Sequence, residues 1–433
     1  MLLQKLLTIP LFISINITAL HAIKFETLGY KSISMGGASV ASSSGSFAAY
    51  NNPALLAKTS YSVEVTIGAG ASVHDHGALA SIKELEDLGF QDTIDNLPEN
   101  INDLPNSERQ KLLDGTDIIV AMDGSAATVA PHTYLSAQVY SFGFGLFGSS
   151  DVMGTAVVDQ TRTDLIFEDT GSNTGFSKIN DDLSISESSK TEYDKSSIQA
   201  AVDQGYTYLD LKGVALLEVP LAYGHNFESK IGNIMIGGAL KYIQAITYVD
   251  HMKVDASGEV AGAHVKKDKT SANFGIDLGL AYQPSFSYDL TFGLVAKNLN
   301  TPKFDFVDGT TLSVKPLVRM GMAYNIFDSL QIAGDLDLTT NNTLHKNLDS
   351  QMLGGGLSYE PFSNVFALSL RAGLMQNLHS EDKTGLIYTA GMGIGVKWFQ
   401  VDLSGEVSSN SNTVQDVTVP QYSKVNLALI SRW

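Results

Sequence analysis

The feature that most constrains this chain is a two-residue hydrophobic rhythm that returns, segment after segment, along most of its length. Successive side chains of a strand point to opposite faces, so such alternation marks a sheet with one apolar and one polar face. Tyr61, Val63, Val65 and Ile67 alternate with Ser62, Glu64, Thr66 and Gly68. Phe274, Ile276, Leu278, Leu280 and Tyr282 alternate with Asn273, Gly275, Asp277, Gly279 and Ala281. Tyr388, Met392, Ile394, Val396 and Trp398 oppose Thr389, Gly391, Gly393, Gly395 and Lys397. In the last ten residues Val425, Leu427, Leu429 and Trp433 share one face, broken only by Ser431. Lys424, Asn426, Ala428, Ile430 and Arg432 share the other. An apolar outer face, a largely polar inner face and a terminal aromatic suit a strand that closes a barrel in lipid. A soluble edge strand carries the same pattern, so the remaining segments decide.

Connection lengths favour the barrel. The rhythm predicts strands near 60–73, 132–147, 151–160, 206–227, 232–254, 265–283, 288–306, 311–326, 329–340, 348–360, 364–377, 385–398, 400–410 and 422–433. That is about fourteen, an even number. Gaps after even-numbered strands are short, around Ser149, Ser229, Pro284, Asp328, Pro361 and Phe399. Gaps after odd-numbered strands are mostly longer. Outer-membrane barrels segregate short periplasmic turns from longer external loops in this way, and a sandwich has no reason to. The expected fold is therefore an all-β transmembrane antiparallel barrel of about fourteen strands spanning 59–433, with both ends of the wall on the periplasmic side. Inward Gly393 and Ser404 are expected to tolerate Gly393→Ser and Ser404→Arg better than outward Ile394 and Leu403 tolerate arginine, except where crowding by a plug raises the cost.

Composition narrows the functions. The chain has no cysteine, which excludes a disulfide framework and a thiolate metal site. After residue 22 no run of about 18 apolar residues occurs, so spanning helices are not expected. The net charge of −18 argues against nucleic acid, whose phosphates need a basic face. Residues 1–22 read as a secretory signal, with Lys5 as its positive start, Leu6 to Leu20 as its core and Ala22 or Ala19 before the cut.

Two stretches break the rhythm. Residues 23–58 are rich in Ser, Gly and Ala and end in Tyr50-Asn51-Asn52-Pro53-Ala54-Leu55, where Asn-Pro marks a turn. This segment reads as a compact plug inside something larger. Residues 74–131 carry Ile82, Leu85, Leu88, Ile94, Leu97, Ile101 and Leu104 at roughly helical spacing, and Ser107 with Gln110 has the form of a capping box. A partly helical external insertion is expected there, and a mobile polar loop over 161–205.

Sequence signs of chemistry are weak. Gly143-Phe144-Gly145-Leu146-Phe147-Gly148 spells a dinucleotide fingerprint, but more strand follows where a helix should start. His74-Asp75-His76 lacks a third placed metal ligand and reads as an exposed loop. No Ser/His/Asp nucleophile setting occurs, which counts against catalysis without ruling it out. No metal or cofactor is assigned. The polar inward set contains Glu64, Glu218, Asp277, Arg319, Asp335, Asp337, Arg371 and Lys397. Opposite charges inside a barrel more often tie strands and plug together than hold a ligand.

Met35-Gly36-Gly37-Ala38, with Ala48-Ala49-Tyr50-Asn51-Asn52-Pro53-Ala54-Leu55, resembles the N-terminal hatch of FadL-type outer-membrane transporters. Arg371-Ala372-Gly373-Leu374 and Ala390-Gly391-Met392-Gly393-Ile394-Gly395 resemble the same superfamily and, more closely, the TraF-type proteins named after plasmid conjugal-transfer operons. Leu216-Leu217-Glu218-Val219-Pro220-Leu221 and the early helical insertion suit that subgroup. The resemblance implies a fourteen-stranded barrel in a Gram-negative outer membrane, a hatch built on Asn51, Asn52, Pro53 and Ala54, and passive passage of hydrophobic small molecules. The long insertion departs from the fatty-acid transporters, so their substrate is not carried over. The alternative is a non-transporting envelope component of conjugation. The partners expected are outer-membrane lipid, the barrel assembly machinery with Trp433 as the assembly signal, and a hydrophobic cargo.

Overall fold

The structure, a computed structural model, describes residues 27–58, 61–254, 260–261, 267–342, 349–361, 366–379, 384–414 and 417–433. The expected signal at 1–22 lies outside the described residues. Fourteen strands form one closed antiparallel barrel. They are β1 (Val63–His76), β2 (Ala126–Val139), β3 (Phe142–Val157), β4 (Tyr208–Ser229), β5 (Gly232–Val254), β6 (Lys267–Pro284) and β7 (Leu290–Lys297) in the first half. The second half is β8 (Leu317–Phe327), β9 (Leu330–Asp337), β10 (Met352–Tyr359), β11 (Phe366–Asn377), β12 (Leu386–Val396), β13 (Phe399–Ser408) and β14 (Tyr422–Arg432). Each strand pairs with its sequence neighbours, and β14 closes the ring on β1 from Glu64↔Arg432 to His74↔Tyr422. Closure gives every strand two partners, so no edge is left unpaired in the hydrocarbon.

The alternation sorts the side chains as expected. On β14, Val425 is 61% exposed and Leu427 and Leu429 point out beside it, while Asn426, Ala428 and Ile430 are buried inward. Exposed aromatics collect at the short-turn end: Tyr140, Phe142, Phe227, Phe286, Tyr288, Phe327, Phe366, Trp398 and Trp433. An apolar band ending in an aromatic girdle is the surface of a barrel that sits in a bilayer, because the rings settle at the headgroup level.

Several strand boundaries differ from expectation, and β2 starts at Ala126, inside the stretch expected as a helical insertion. The turn placed near Ser149 lies at Tyr140 and Ser141, where Tyr140 adopts φ 49°. Ser149 stays on β3 because its side chain faces the lumen, where polarity does not signal a turn. The Gly143–Gly148 stretch is the middle of that strand. The strands expected over 288–306 and 311–326 are shorter, because residues 298–316 leave the wall and form a separate small hairpin.

The long loops also fold. β1 continues through His76, so His74 and His76 stand on one strand face, with ring centroids 3.9 Å apart, and not on a loop. Asp75 instead accepts from the amides of Gly77 and Leu79 and from Asn412. Inside the barrel the N-terminal segment contains α1 (Tyr30–Ser34) and α2 (Ala48–Asn51). The first external loop carries α3 (Ala78–Leu88), α4 (Phe90–Asp95) and α5 (Asn106–Ala121). Residues 161–205, expected as a mobile loop, hold a three-stranded sheet (Leu165–Glu168, Phe176–Ile179, Ile185–Glu187) followed by α6 (Lys190–Ser196) and α7 (Ile198–Asp203). The two loops share one apolar core, with Leu104 and Leu112 packed on Leu165, Phe167 and Ile198. The expected capping box at Ser107 is not formed: Pro105 precedes α5, and no side chain caps it. The box forms at Ser189 and Glu192 instead.

The outward register makes a sharp prediction. Lipid offers no partner for a charge, so Ile394→Arg and Leu403→Arg should each cost about 2–4 kcal/mol if placed mid-bilayer. Denaturant titration of the heat-modifiable barrel in micelles would read this. Wild-type midpoints in both variants would mean that these faces do not meet lipid.

Candidate functional site: the plugged lumen

The N-terminal segment is built from pieces too short to stand alone, since isolated helices of one or two turns are not stable in water. Gly36 and Gly37 take φ of 63° and 80°, which lets the chain reverse after α1. At Asn52 the backbone is extended, as the residue before a proline must be, and Pro53 then starts a short 3₁₀ turn. The Asn52 side chain fixes this corner. Its Oδ1 accepts from the Ala54 amide at 3.1 Å, and its Nδ2 donates to the Val40 and Leu280 carbonyls at 2.7 and 3.2 Å. Asn51 donates to Ser43 Oγ at 2.8 Å. Asn52 thus joins two turns of the segment to the wall strand β6.

The wall grips the segment with buried side chains. Asp335 on β9 accepts from the Ser39 and Val40 amides at 2.7 and 2.9 Å. Glu64 on β1 accepts from the Ser46 amide at 2.9 Å and from Arg432 Nε at 2.9 Å. Arg432 also donates to the Tyr30 hydroxyl at 2.8 Å. Thr389 accepts from the Gly36 amide, and Lys424 donates to the Thr27 carbonyl. Irregular backbone at membrane depth needs such partners, because there is no bulk water to supply them.

Lumenal glycines shape the seat. A Cβ on Gly237 or Gly279 would collide with the Asn52–Ala54 corner, and one on Gly293 would collide with Val40. Side chains on Gly354, Gly356 and Gly373 would meet the Met35–Gly36 turn. The wall is glycine-rich where the segment's backbone presses on it. Gly393 differs: a Cβ there would meet the Gln400 and Asp402 side chains, so any crowding at this inward position comes from the wall and not from the segment.

The expected lumenal residues separate into groups. Glu64 and Asp335 hold the segment. Arg371 pairs with Asp402 at 2.7 Å, its guanidinium 5.0 Å from the Tyr30 ring centre. Arg319 and Asp337 pair across β8 and β9, and Asp337 also accepts from the Met352 amide at 3.0 Å. Glu218 and Asp277 both pair with Lys241, at 2.6 and 3.1 Å. Lys397 is a correction. β12 ends at Val396, and Lys397 with Trp398 makes the exposed turn into β13, where the ammonium reaches water. Lys241, Asp402 and Arg432 were missed as site residues, although each sits at an inward position that the alternation could have assigned. Lys297 was missed too; its ammonium lies 3.5 Å from the Tyr50 ring centre.

The two kinds of contact predict separable effects on the segment. Asp335→Ala leaves the Ser39 and Val40 amides without their acceptor, and Gly237→Val fills the seat of Pro53. Both should leave the wall heat-modifiable while exposing residues 27–58 to protease several-fold faster. Unchanged cleavage in folded variants would mean that these contacts do not seat the segment.

The barrel is similar to solved structures. A deltaS2 mutant of the TodX monoaromatic hydrocarbon channel has a TM-score of 0.50 at 12% identity, with 94% of this chain and 99% of that chain covered. The Pseudomonas putida toluene transporter TodX scores 0.49 at 14%, covering 95% and 98%. A Pseudomonas aeruginosa FadL homologue scores 0.48 at 12%, covering 95% and 99%. At 12% identity the likeness to the deltaS2 mutant speaks for the fold alone. No curated protein matches the chain in sequence. The family model described as F plasmid transfer operon, TraF, protein matches residues 49–337, more than half of the chain, and the chain belongs to that family.

Proposed function

We propose that this protein is a passive channel for small hydrophobic molecules in a Gram-negative outer membrane, closed at rest by its N-terminal segment. One observation carries the reading. The segment fills the lumen yet contributes no strand to the wall, so it can shift without breaking the backbone ladder that keeps the barrel folded. A purely structural filler has no need of that independence. The TodX deltaS2 mutant, which shares the fold, is a monoaromatic hydrocarbon channel, and this supports an apolar cargo. Catalysis has no part in the reading. The aromatic girdle and outward apolar band suit outer-membrane lipid, and Trp433 suits recognition by the barrel assembly machinery. A net charge of −18 does not suit direct contact with nucleic acid. The family's name, after a plasmid transfer operon, makes a non-transporting role in plasmid transfer the competing outcome.

The Asn52–Pro53 corner is the place to test it. Asn52→Ala with Pro53→Gly removes the side-chain ties to Val40 and Leu280 and frees the backbone angle that proline fixes. The double variant should remain a heat-modifiable barrel and change hydrophobic-dye flux into liposomes several-fold. Unchanged flux in folded protein would reduce the segment to an inert arm and favour the non-transporting role.

Sidedness has its own test. The connections 77–125 and 158–207 follow odd-numbered strands and belong on the external face. Protease added to intact cells should cut there and spare the turns at Ser229 and Pro361. The reverse pattern would invert the topology, and full-length protein soluble in the periplasm would remove the location.

A further inference from the structure

Under the N-terminal segment the inner wall mixes apolar and polar groups, and further from the short-turn end another apolar patch lies under a different element. Val214 and Leu216 on β4 and Ile243 and Ala245 on β5 are buried there, while their strand neighbours Leu217, Tyr242 and Ile246 face out. The patch begins one inward residue beyond the Glu218–Lys241–Asp277 cluster. It is covered by the connection between β7 and β8. That connection folds back as a hairpin, Lys303–Asp305 against Thr311–Ser313, turning at Gly309 with φ 83°. Phe304, Phe306, Leu312 and Val314 lie on the patch, and Phe304 is only 1% exposed. The alternate residues Lys303, Asp305, Val307 and Thr311 are exposed.

The hairpin is fastened differently from the wall. Its two strands pair with each other and are not part of the barrel sheet. Over 303–313 its polar ties to the wall are few among the described residues, whereas at its base Asn300 Nδ2 donates to the Phe274 carbonyl at 2.6 Å and the Leu299 amide donates to the Ile276 carbonyl at 2.9 Å. Thr247 Oγ donates to the Asp305 carbonyl at 2.9 Å, and Asn273 Nδ2 donates to the Lys303 carbonyl at 3.4 Å. Lys269 pairs with Asp305 at 3.3 Å and Lys212 with Asp308 at 4.0 Å, both partly or fully in solvent, where ion pairs contribute little. Its base turns inward through Asn298 and Thr301, at φ of 56° and 51°. A β-branched threonine rarely adopts that region, so a bent base is maintained by its surroundings. Asp277 supplies part of that support by accepting from the Asn298 amide at 2.7 Å.

We propose that the Val214–Leu216–Ile243–Ala245 patch is a binding site for a compact apolar molecule of single-ring size. The hairpin holds the site shut by occupying it with its own phenyl groups. The inference rests on the channel reading and names the chemistry of its cargo. Lifting the empty hairpin would expose the patch to water, which opposes opening. A ring-sized ligand on the patch replaces the lost burial, so it binds the lifted state better and shifts the population toward it. The Asp277–Asn298 contact places the charged cluster at the hairpin base, between this site and the N-terminal segment.

Toluene is the probe, because it is the phenylalanine side chain capped with one hydrogen. The chain has no cysteine, so Phe304→Cys introduces a single reporter into the full-length protein. Its alkylation by a water-soluble maleimide is followed in micelles, with folding checked by heat-modifiable mobility. Leu312→Cys, buried on the same patch, serves if Phe304→Cys does not fold. Val307→Cys, on the exposed face, and Ile33→Cys, in the N-terminal segment, are controls. Without toluene, Phe304→Cys should react about tenfold more slowly than Val307→Cys, as a closed segment protects its buried face. Saturating toluene should raise that rate about fivefold and leave both controls unchanged, as expected of a ligand that prefers the lifted state. A rate unmoved by toluene, or already equal to that of Val307→Cys, overturns the proposal. So does equal acceleration of Ile33→Cys, which would mean general loosening. Hydrophobic-dye flux through the wild-type protein in liposomes separates the two readings. Flux with no labelling response removes this site and keeps the channel; a labelling response without flux keeps the site and removes the channel.

Discussion

Everything in this molecule depends on the pairing of its first and last wall strands. In hydrocarbon an unpaired amide or carbonyl has no water to turn to, so an open fourteen-stranded sheet could not reside there. The antiparallel register from Glu64↔Arg432 to His74↔Tyr422 removes both edges at once. The same pairing brings the Glu64 carboxylate beside the Arg432 guanidinium, and these two groups then reach inward to Ser46 and Tyr30. Closure of the wall therefore builds part of the seat for the N-terminal segment. The segment's short helices, unstable alone, gain their partners only when the ring is complete.

The interior follows from that closure. A barrel of this size has to be filled or left wet, and here it is filled by backbone as much as by side chains. Glycine on the wall lets the Met35–Gly36 turn and the Asn52–Ala54 corner approach closely, and carboxylates accept the amides left over. Several other lumenal charges are matched among themselves: Lys241 between Glu218 and Asp277, Arg319 with Asp337, Arg371 with Asp402. Removing one member of such a pair strands the other in a desolvated place, which costs far more than the pair itself contributes. The wall thus tolerates movement of the segment better than loss of its own inner charges.

Much of this was legible in the sequence, and the limits were physical. The outer faces of β12 and β14 were plain because lipid permits nothing polar there, so Met392, Ile394, Leu427 and Leu429 could only point out. The lumen imposes no such rule. Ser149 looked like a turn and is strand, whereas Tyr140 and Ser141, in an aromatic run, make the turn. Residues 303–306 and 311–314 alternate as a wall strand does, yet their apolar face meets the inner wall of β4 and β5 instead of lipid. Alternation reports that one face is buried and is silent on what buries it. Lys397 shows the boundary version of the same limit, since one residue decides whether a side chain points into the lumen or leaves it at a turn. The glycine seats were unreadable for another reason: Gly36 meets Gly354 and Gly373 across more than three hundred residues of chain.

The two elements that fill the lumen share one design, and it bears on how the protein can move. The N-terminal segment and the 303–313 hairpin each bury apolar surface on the wall, yet neither is hydrogen-bonded into its ladder. Their stability is set by side-chain contacts that form and break locally, whereas the wall unfolds only as a ring. Local openings therefore lie well below global unfolding in free energy, and such openings are where gating can occur. The contacts differ in kind. The hairpin sits on an apolar patch with few polar ties, so apolar solutes compete for its seat. The segment is also fixed by Asp335, Glu64 and Asn52, whose hydrogen bonds an apolar solute cannot replace. A hydrophobic molecule entering from the external mouth would thus meet the yielding element first and the resistant one second. On the proposed channel reading, that order would let the lumen load without opening at the short-turn end.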